Sequence, residues 1–470
     1  MKHAEPSTKP DVPSFSSLGL REALLNNLST LGYDSMTPIQ SQSLPIMLKN
    51  QDVIAQAKTG SGKTAAFGLS LLNQLEIENY RVQGLVLCPT RELAEQVSQT
   101  LRQLARLMPN VKVLNLSGGM PMKAQLDSLR HGAHIIVGTP GRVQKHLDKE
   151  TLSLKKLKIL ILDEADRMLD MGFYDAIHDI IALCPQQRQT LLFSATYPAE
   201  IKKLAGEFMK NPKRVIVEEN EAALDIEQIF YEVSHHSNKF ALLKTMLLHY
   251  KPSSTLIFCN TKELTNQLVA LLSKEGFSAM ALNGDMDQVE RDVAIIRFKN
   301  QSCTILVATD VAARGLDIKE LPAVINYELA FAHDVHIHRI GRTGRAGNKG
   351  LALSITTPAD AEKICAIEDA LKQSVVWGDA SKLDSSTQKS LAPEMVTLCL
   401  NVGKKDKIRP GDIVGALTKE AGLAVNCLGK IDIGSLYSYV AVHRNQADAA
   451  FNYLQQGKLK GRKVNVKKIK

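Results

Sequence analysis

Ala57-Lys58-Thr59-Gly60-Ser61-Gly62-Lys63-Thr64 lies between an apolar run, Asp52 to Gln56, and a stretch with helical periodicity. Strand, glycine-rich turn and helix in that order are the context a phosphate-binding loop needs. Glycines let backbone N–H groups wrap phosphate oxygens, the helix start favours negative charge, and the lysine reaches the outer phosphates. Ala57, Lys58, Thr59, Gly60, Ser61, Gly62, Lys63 and Thr64 are therefore candidate nucleotide ligands, with Thr64 offering its hydroxyl to magnesium. Ala57 stands where the general pattern has glycine. A glycine-rich turn without function is the plain alternative, and the flanking strand and helix argue against it.

Outward from this loop, short apolar runs alternate with amphipathic stretches. Asp52 to Gln56, Gly84 to Cys88, Val111 to Leu116, His134 to Val137, Lys158 to Leu162 and Thr190 to Phe193 read as buried strands. The pattern predicts a parallel sheet with crossover helices. A second set follows at Ser254 to Cys259, Ser278 to Leu282, Thr304 to Ala308, Ala323 to Tyr327 and Gly350 to Ile355. The polar passage Asn211 to Ile226 between the sets suits a hinge, and Gln373 to Pro393, rich in Ser, Asp and Lys, is a second break. Beyond it the order is strand (Val396 to Asn401), helix (Pro410 to Ala421), strand (Asn426 to Ile431), strand (Ser438 to His443), helix (Gln446 to Gln455) and strand (Lys463 to Lys468). This β-α-β-β-α-β order is ferredoxin-like. The expected fold class is α/β: two parallel-sheet lobes followed by a small α+β domain.

Asp163-Glu164-Ala165-Asp166 directly follows an apolar strand, so its first carboxylates sit at the carboxyl end of the sheet, where α/β ligands bind. Asp163 can hold magnesium through water, and Glu164 can orient and deprotonate an attacking water. By itself the run also fits a solvated turn; the phosphate loop upstream makes nucleotide hydrolysis the sharper reading. In the second lobe, His338-Arg339-Ile340-Gly341-Arg342-Thr343-Gly344-Arg345 spaces arginines by three. Arg342 and Arg345, supplied from another lobe, suit the charge that develops on a γ-phosphate, although a plain basic loop gives the same letters.

The chain has 470 residues, 44% apolar and 23% charged, which excludes small disulfide scaffolds and mainly disordered chains. Of the net charge of +9, residues 393–470 carry +8, with 14 Lys and Arg against 6 Asp and Glu. A locally basic module points to a phosphate-bearing partner, while a merely solvated basic face remains an alternative. Seven cysteines with no C-x-x-C pair favour neither a disulfide framework nor a zinc cluster, and a reducing cytoplasm fits. Without a leader-like or bilayer-length apolar segment, a cytoplasmic location and no membrane partner are expected.

These elements stand in the order, and nearly the letters, of the DEAD-box ATP-dependent RNA helicases, which residues 15 to 370 resemble. Added to them are Gly32-Tyr33 through Thr37-Pro38-Ile39-Gln40, Pro89-Thr90-Arg91-Glu92-Leu93, Gly118-Gly119, Thr139-Pro140-Gly141-Arg142, Ser194-Ala195-Thr196, Gln288 with Arg291, and Ala308-Thr309-Asp310 through Arg314-Gly315-Leu316-Asp317. Met36 departs from the family's usual Pro, and Ala57 is what the family itself normally shows. The resemblance implies two RecA-like lobes, with ATP and Mg2+ between them and RNA across both. It divides the chain into a flexible N-terminus (1–13), RecA-like lobe 1 (14–215), RecA-like lobe 2 (216–372), a linker (373–392) and a C-terminal domain (393–470).

Further roles are implied residue by residue. Gln40 reads the adenine edge, Phe15 stacks on its face, and Gly315 and Asp317 touch the nucleotide from lobe 2. An amide has the donor and acceptor that adenine needs; for Phe15, packing near the next helix is the alternative. Ser194 and Thr196 couple nucleotide state to RNA binding. Thr90, Arg91, Gly119, Thr139, Arg142, Gln288, Arg291 and Thr309 form the RNA-facing set. Hydroxyls, glycine amides and arginines grip sugar and phosphate without reading bases, so binding by the core is expected to ignore sequence. Thr139 before Pro140 could equally serve as a helix cap.

In the tail, Tyr437 to Val442 partly match the RNA-recognition strand in which alternate aromatics stack bases, with Leu436 in place of Gly and no aromatic in Thr397 to Asn401. Tyr437 and Tyr439 share a sheet face, which suits stacking or ordinary packing equally. Lys404, Lys405, Lys407 and Arg409 occupy a predicted loop, and seven further Lys and Arg crowd the end of the chain. Arg409-Pro410-Gly411-Asp412-Ile413, Gly429-Lys430-Ile431 and Gly457-Lys458-Leu459-Lys460-Gly461 resemble the RRM-like tail of one bacterial branch of the helicases. That likeness implies binding to large-subunit (23S) ribosomal RNA and pre-ribosomal particles during ribosome assembly. The expected protein is a monomeric, RNA-stimulated ATPase that separates short RNA duplexes. An ATP-controlled clamp or remodeller of general RNA is the alternative; a DNA translocase is disfavoured by Gln40 and the letters of Asp163 to Asp166.

Overall fold

The computed structural model describes the chain except residues 1–13, 58–59, 120, 218–225, 314–320, 345–348, 385–391, 435 and 470 and the side chain of Asp334. The N-terminus 1–13, expected to be flexible, thus lies outside the described residues. The chain separates into two units, residues 1–220 and 221–470.

The first unit is built on seven parallel strands: β1 (Val53–Gln56), β2 (Gly84–Leu87), β3 (Val113–Leu116), β4 (Ile135–Gly138), β5 (Ile159–Leu162), β6 (Gln189–Ser194) and β7 (Lys213–Ile216), in spatial order β3-β4-β2-β5-β6-β1-β7. Alternate residues enter opposite cores. Val53, Ala55, Val86, Ile161 and Phe193 pack on one face, and Ile54, Leu85, Leu87, Leu160 and Leu192 on the other. Burial on both faces is why these strands read as unbroken apolar runs. β7 falls inside the passage expected as a hinge. It is an edge strand that buries only Val215, so it lacks the apolar run that marks the others.

The second unit begins with six parallel strands: β8 (Ile226–Glu232), β9 (Thr255–Phe258), β10 (Ala279–Leu282), β11 (Ile305–Ala308), β12 (Ala323–Asn326) and β13 (Gly350–Thr356), ordered β10-β11-β9-β12-β13-β8. β8 has no counterpart among the expected strands, because Glu227, Gln228 and Glu232 break its apolar pattern at the sheet edge. The stretch expected as a linker does not start as one. Phe230 N donates to Val376 O and Gly378 N to Phe230 O, both at 2.8 Å, so residues 376–378 pair with β8. Trp377 sits edge-on to Phe230, ring centroids 6.2 Å apart.

The C-terminal domain forms an antiparallel sheet from β14 (Met395–Leu400), β15 (Leu428–Ile433), β16 (Ser438–His443) and, after the hairpin β17 (Lys458–Leu459) and β18 (Arg462–Lys463), β19 (Val466–Ile469). The order β15-β16-β14-β19 is that of the expected β-α-β-β-α-β module. Leu398, Leu400, Val440, Val442 and Val466 form its core with Ile413, Leu417, Ala450 and Leu454. The first helix is α-helical only over Pro410–Gly415 and continues as a π-turn over Ala416–Glu420. Lys463, expected in the last strand, belongs to the hairpin instead.

Candidate functional site

At the end of β1 the chain turns on Gly60 and Gly62, with φ of 93° and 94°, a region closed to most side chains. A Cβ on Gly62 would lie 2.6 Å from Gln40 Nε2 and 2.9 Å from Thr37 Oγ1, so glycine is required for space as well. The helix Lys63–Asn73 follows, its first amides turned to the loop. Lys63 is buried and donates to Ala57 O at 2.6 Å. Ser61 Oγ is buried without a partner among the described residues, and Thr64 is half-buried. Lys58 and Thr59 lie outside the described residues. Gln40, 1% exposed, accepts from Thr37 N at 2.8 Å and donates to Gly62 O at 3.2 Å, tying the helix Pro38–Met47 to the loop. Phe15 is 4% exposed and meets Tyr33 edge-on, ring centroids 6.4 Å apart, within the core of this unit.

Asp163 and Glu164 directly follow β5. Both are buried, and Glu164 takes a left-handed conformation, φ 53°. Burial pushes the Asp163 carboxyl up to about 7, helped by Glu164 and opposed by Lys63. β1 and β5 both pair in parallel with β6, so the phosphate loop after β1 and the acidic pair after β5 emerge at the same end of the sheet, one strand apart. Glu164 Oε2 accepts from Arg167 at 2.8 Å, with both side chains 6% exposed. Burial and the two carboxylates also drive the Cys88 thiol well above its ordinary value.

The sequence alone gives Asp166 no role, yet it holds the densest set of bonds here. Its Oδ2 accepts from Ala195 N at 3.1 Å and from the amide and hydroxyl of Thr196. Burial acts against its charge, but the bonds from Thr196 outweigh it and keep the carboxyl below the usual range. The Ser194-Ala195-Thr196 turn is thereby fastened to the acidic segment, while Ser194 O accepts from Ala57 N at 3.1 Å and Ser194 Oγ is buried without a partner among the described residues. Only the proximity of the two motifs in space shows this role, and no spacing rule carries it.

The expected RNA-facing residues of this unit gather around β2 to β4. Thr90 Oγ1 caps the helix Arg91–Leu104, accepting from Leu93 N at 3.2 Å. Arg91 lies across Gly118, where a Cβ would come within 2.7 Å of its guanidinium. Gly119 has φ 81°. Thr139 starts the helix Pro140–Asp148 through its carbonyl, not its hydroxyl. Arg142 donates to Gln125 Oε1 at 2.6 Å, and Gln125 in turn meets Ser117 O and the buried His146.

In the second unit Arg339 is the best-held charge, and its place in the sequence assigns it nothing. It is 1% exposed and makes a bidentate pair with Asp310, at 2.7 and 2.8 Å. It also donates to Glu328 O, Asn260 Oδ1 and Asn326 Oδ1 and lies over the Phe258 ring. Arg342, three residues on, is at the buried limit, in the turn after the helix His333–Ile340. Arg345, Gly315 and Asp317 lie outside the described residues. Thr309 is buried at the end of β11. Gln288 and Arg291 stand on the first turns of the helix Gln288–Lys299, with Gln288 donating to Asp292 at 2.9 Å and Arg291 to Ala312 O at 3.4 Å.

In the C-terminal domain, Lys404, Lys405, Lys407 and Arg409 form one loop, with Lys407 at φ 59°. Lys460 from the hairpin donates to Lys407 O at 2.9 Å, and Arg462 pairs with Asp406 at 2.8 Å, so the two basic segments are adjacent. Tyr437 is half exposed ahead of β16, and Tyr439 lies within it.

Comparison with known proteins accords with this geometry. The DEAD/DEAH box helicase family matches residues 37–204, the helicase conserved C-terminal domain residues 238–347, and the DbpA RNA binding domain residues 397–468. The ATP-dependent RNA helicase DbpA of Escherichia coli is 50% identical over 97% of this chain and 100% of its own length. A CshA helicase of Limosilactobacillus reuteri is 42% identical over 75% of this chain and 71% of its own. Among solved structures, S. cerevisiae Dbp5 bound to RNA and ADP BeF3 superposes with a TM-score of 0.72 at 32% identity, covering 79% of this chain and 97% of that one. With phosphate loop, acidic segment, two parallel-sheet lobes and a matching tail in one polypeptide, the chain belongs to the DEAD-box family of ATP-dependent RNA helicases, in the branch that carries the DbpA RNA binding domain.

Proposed function

We propose that the protein uses ATP with Mg2+ to separate short RNA duplexes locally, and that its C-terminal domain directs it to large-subunit (23S) ribosomal RNA in assembling ribosomes. The observation that carries the first part is the convergence of Lys63, Asp163 and Glu164 in one buried site beside the phosphate loop. Lys63 and the loop amides bind the outer phosphates, with Ser61 as a further donor. Gln40 and Phe15 serve the adenine, and Gly315, Asp317, Arg342 and Arg345 act from lobe 2.

The donor set fits magnesium. Thr64 supplies a hydroxyl and Asp163 a carboxylate, both hard oxygen ligands, and the described residues contain no cluster of three acidic, His or Cys side chains that would make an all-protein cage. Magnesium there would neutralise charge on the phosphates. Glu164, held by Arg167, orients water and takes its proton. The Asp166–Thr196 bonds make the Ser194–Thr196 turn respond to the state of the acidic segment, which is how phosphate chemistry reaches the RNA-facing residues Thr90, Arg91, Gly119, Thr139, Arg142, Gln288, Arg291 and Thr309.

Targeting rests on the charge of residues 393–470 and the matched RNA binding domain. The protein acts as a cytoplasmic monomer in this reading. ATP hydrolysis measured with large-subunit ribosomal RNA and with an unrelated RNA, at matched nucleotide concentration and fixed salt, tests it. Strong preference for ribosomal RNA, abolished by deletion of residues 393–470, is expected. Equal stimulation by both RNAs would reduce the tail to a general RNA anchor.

A further inference from the structure

The helix Met122–Arg130 of the first unit has one buried residue, and it is a glutamine. A surface helix ordinarily buries an apolar stripe. Here Leu126 and Leu129 are only half-buried, while Gln125 is 5% exposed. A polar side chain at the deepest position is costly unless its amide is engaged.

Gln125 is engaged at both ends. Its Nε2 donates to Ser117 O at 2.9 Å, and its Oε1 accepts from Arg142 at 2.6 Å and lies 3.1 Å from His146 Nε2. These partners fix the amide's orientation, because a carbonyl can only accept and a guanidinium can only donate. His146 therefore donates from Nε2. The ring is fully buried, and Thr151 Oγ1 closes its other side, 2.9 Å from Nδ1. Burial, then the cations of Arg142 and Lys149, hold the imidazole below its ordinary value.

Three segments meet through this one amide. Ser117 opens the turn that carries Gly118 and Gly119 after β3. Arg91, at the start of the helix after β2, lies against Gly118. Arg142 belongs to the helix after β4, and β3, β4 and β2 are successive neighbours in the sheet. Arg91 and Arg142 are thus joined by contacts running through Gly118, Ser117 and Gln125. Two like charges are held in one neighbourhood: burial first, and then the Arg91 cation, lower the Arg142 guanidinium from its usual value.

We propose that Gln125 is a positioning residue for RNA: by bridging Ser117 to Arg142 it sets Arg142 beside Arg91 in advance, so that the two arginines meet the RNA backbone as a preformed phosphate site. The inference rests on the reading of Arg91, Gly119 and Arg142 as RNA-facing. Gln125 is buried and acts through Arg142, and His146 braces the amide from behind. A long side chain fixed beforehand spares the ordering cost that binding otherwise carries, and it resists the repulsion that would drive the two cations apart.

RNA-stimulated ATP hydrolysis of the full-length protein, titrated with one single-stranded RNA at fixed salt, tests this. Gln125→Met keeps the length of the side chain and removes its bonds. It should raise the half-saturating RNA concentration about tenfold and leave the maximal rate within about twofold. In an Arg142→Ala protein, where no guanidinium remains to be positioned, the same substitution should add less than about twofold. Effects that multiply, or a loss confined to the maximal rate, would overturn the inference. If Gln125→Met melts early, Gln125→Glu carries the test. It keeps the shape, but its carboxylate pairs the Arg142 charge and sets an acceptor against Ser117 O. RNA affinity should fall, and the plot of log affinity against log salt should flatten by about 0.7, the share of one single-strand phosphate; affinity and slope both unchanged would overturn the inference. Arg142→Ala alone separates the two possible failures. Unchanged half-saturation there removes Arg142 from the RNA surface and the inference with it, whereas a rise there without one in Gln125→Met removes only the positioning role.

Discussion

The carboxylate of Asp166 accepts from both the amide and the hydroxyl of Thr196, each at 3.0 Å, joining two segments thirty residues apart at the edge of the phosphate site. Asp166→Ala leaves those donors unpaired, at a cost of about 1–3 kcal/mol in stability. Its larger effect should fall on coupling: duplex separation drops at least about tenfold, whereas ATP affinity changes little. Parallel ATP-binding and strand-separation measurements check this. Equal losses in both would reduce the bond to a structural tie.

Glu164→Gln keeps the shape of the side chain and removes its basicity. ATP binding should persist while turnover falls by about 10²–10⁴, the usual worth of a general base. Single-turnover hydrolysis with radiolabelled ATP is the measurement, and normal turnover removes Glu164 from that role.

Arg342 and Arg339 should separate by phenotype. Arg342→Ala is expected to depress hydrolysis by about 10³-fold or more with ATP affinity nearly unchanged. Arg339→Ala strips Asp310 of its bidentate partner in a largely buried network and should cost roughly 3–5 kcal/mol in the stability of lobe 2. Denaturant unfolding beside steady-state kinetics distinguishes them. An Arg339→Ala protein as stable as the parent would contradict the buried network.

The basic loop should reveal itself through salt. Changing Lys404, Lys405 and Arg409 together to Gln should flatten the plot of log affinity against log salt, by about 0.7 for each single-strand phosphate the loop no longer neutralises. An unchanged slope would remove the loop from the RNA surface.

His336 sets an acid limit on lobe 2. Burial, and then the Arg339 cation, lower its imidazole to about 4, and neither ring nitrogen has a hydrogen-bond partner among the described residues. The neutral ring is the folded form, so its contribution to stability is present above the unfolded value near 6.5 and is lost as pH falls through about 4. Up to about 3 kcal/mol should disappear over that window. His336→Phe, next to the Phe230 ring, should flatten the acid limb of a melting-temperature profile. An unaltered limb would assign acid sensitivity to other groups.

The parallel sheets were legible because strands buried on both faces write continuous apolar runs, as Ile159 to Leu162 and Ile305 to Ala308 do. β7 and β8 were not, since an edge strand such as Lys213–Ile216 has one neighbour and keeps charges along its length. Lys63, Asp163 and Glu164 could be picked out by spacing from glycines and strand ends. Asp166 and Arg339 could not, because their partners are brought to them by topology.

The pairing of residues 376–378 with β8 has an optical consequence. Trp377 is the chain's single tryptophan, half exposed and edge-on to Phe230. Every ultraviolet photon the protein emits as indole fluorescence therefore comes from one position on the rim of lobe 2. Its colour and quenching report how that short segment is seated on β8, so this protein carries a built-in lamp for a contact that would otherwise need an attached dye to be seen.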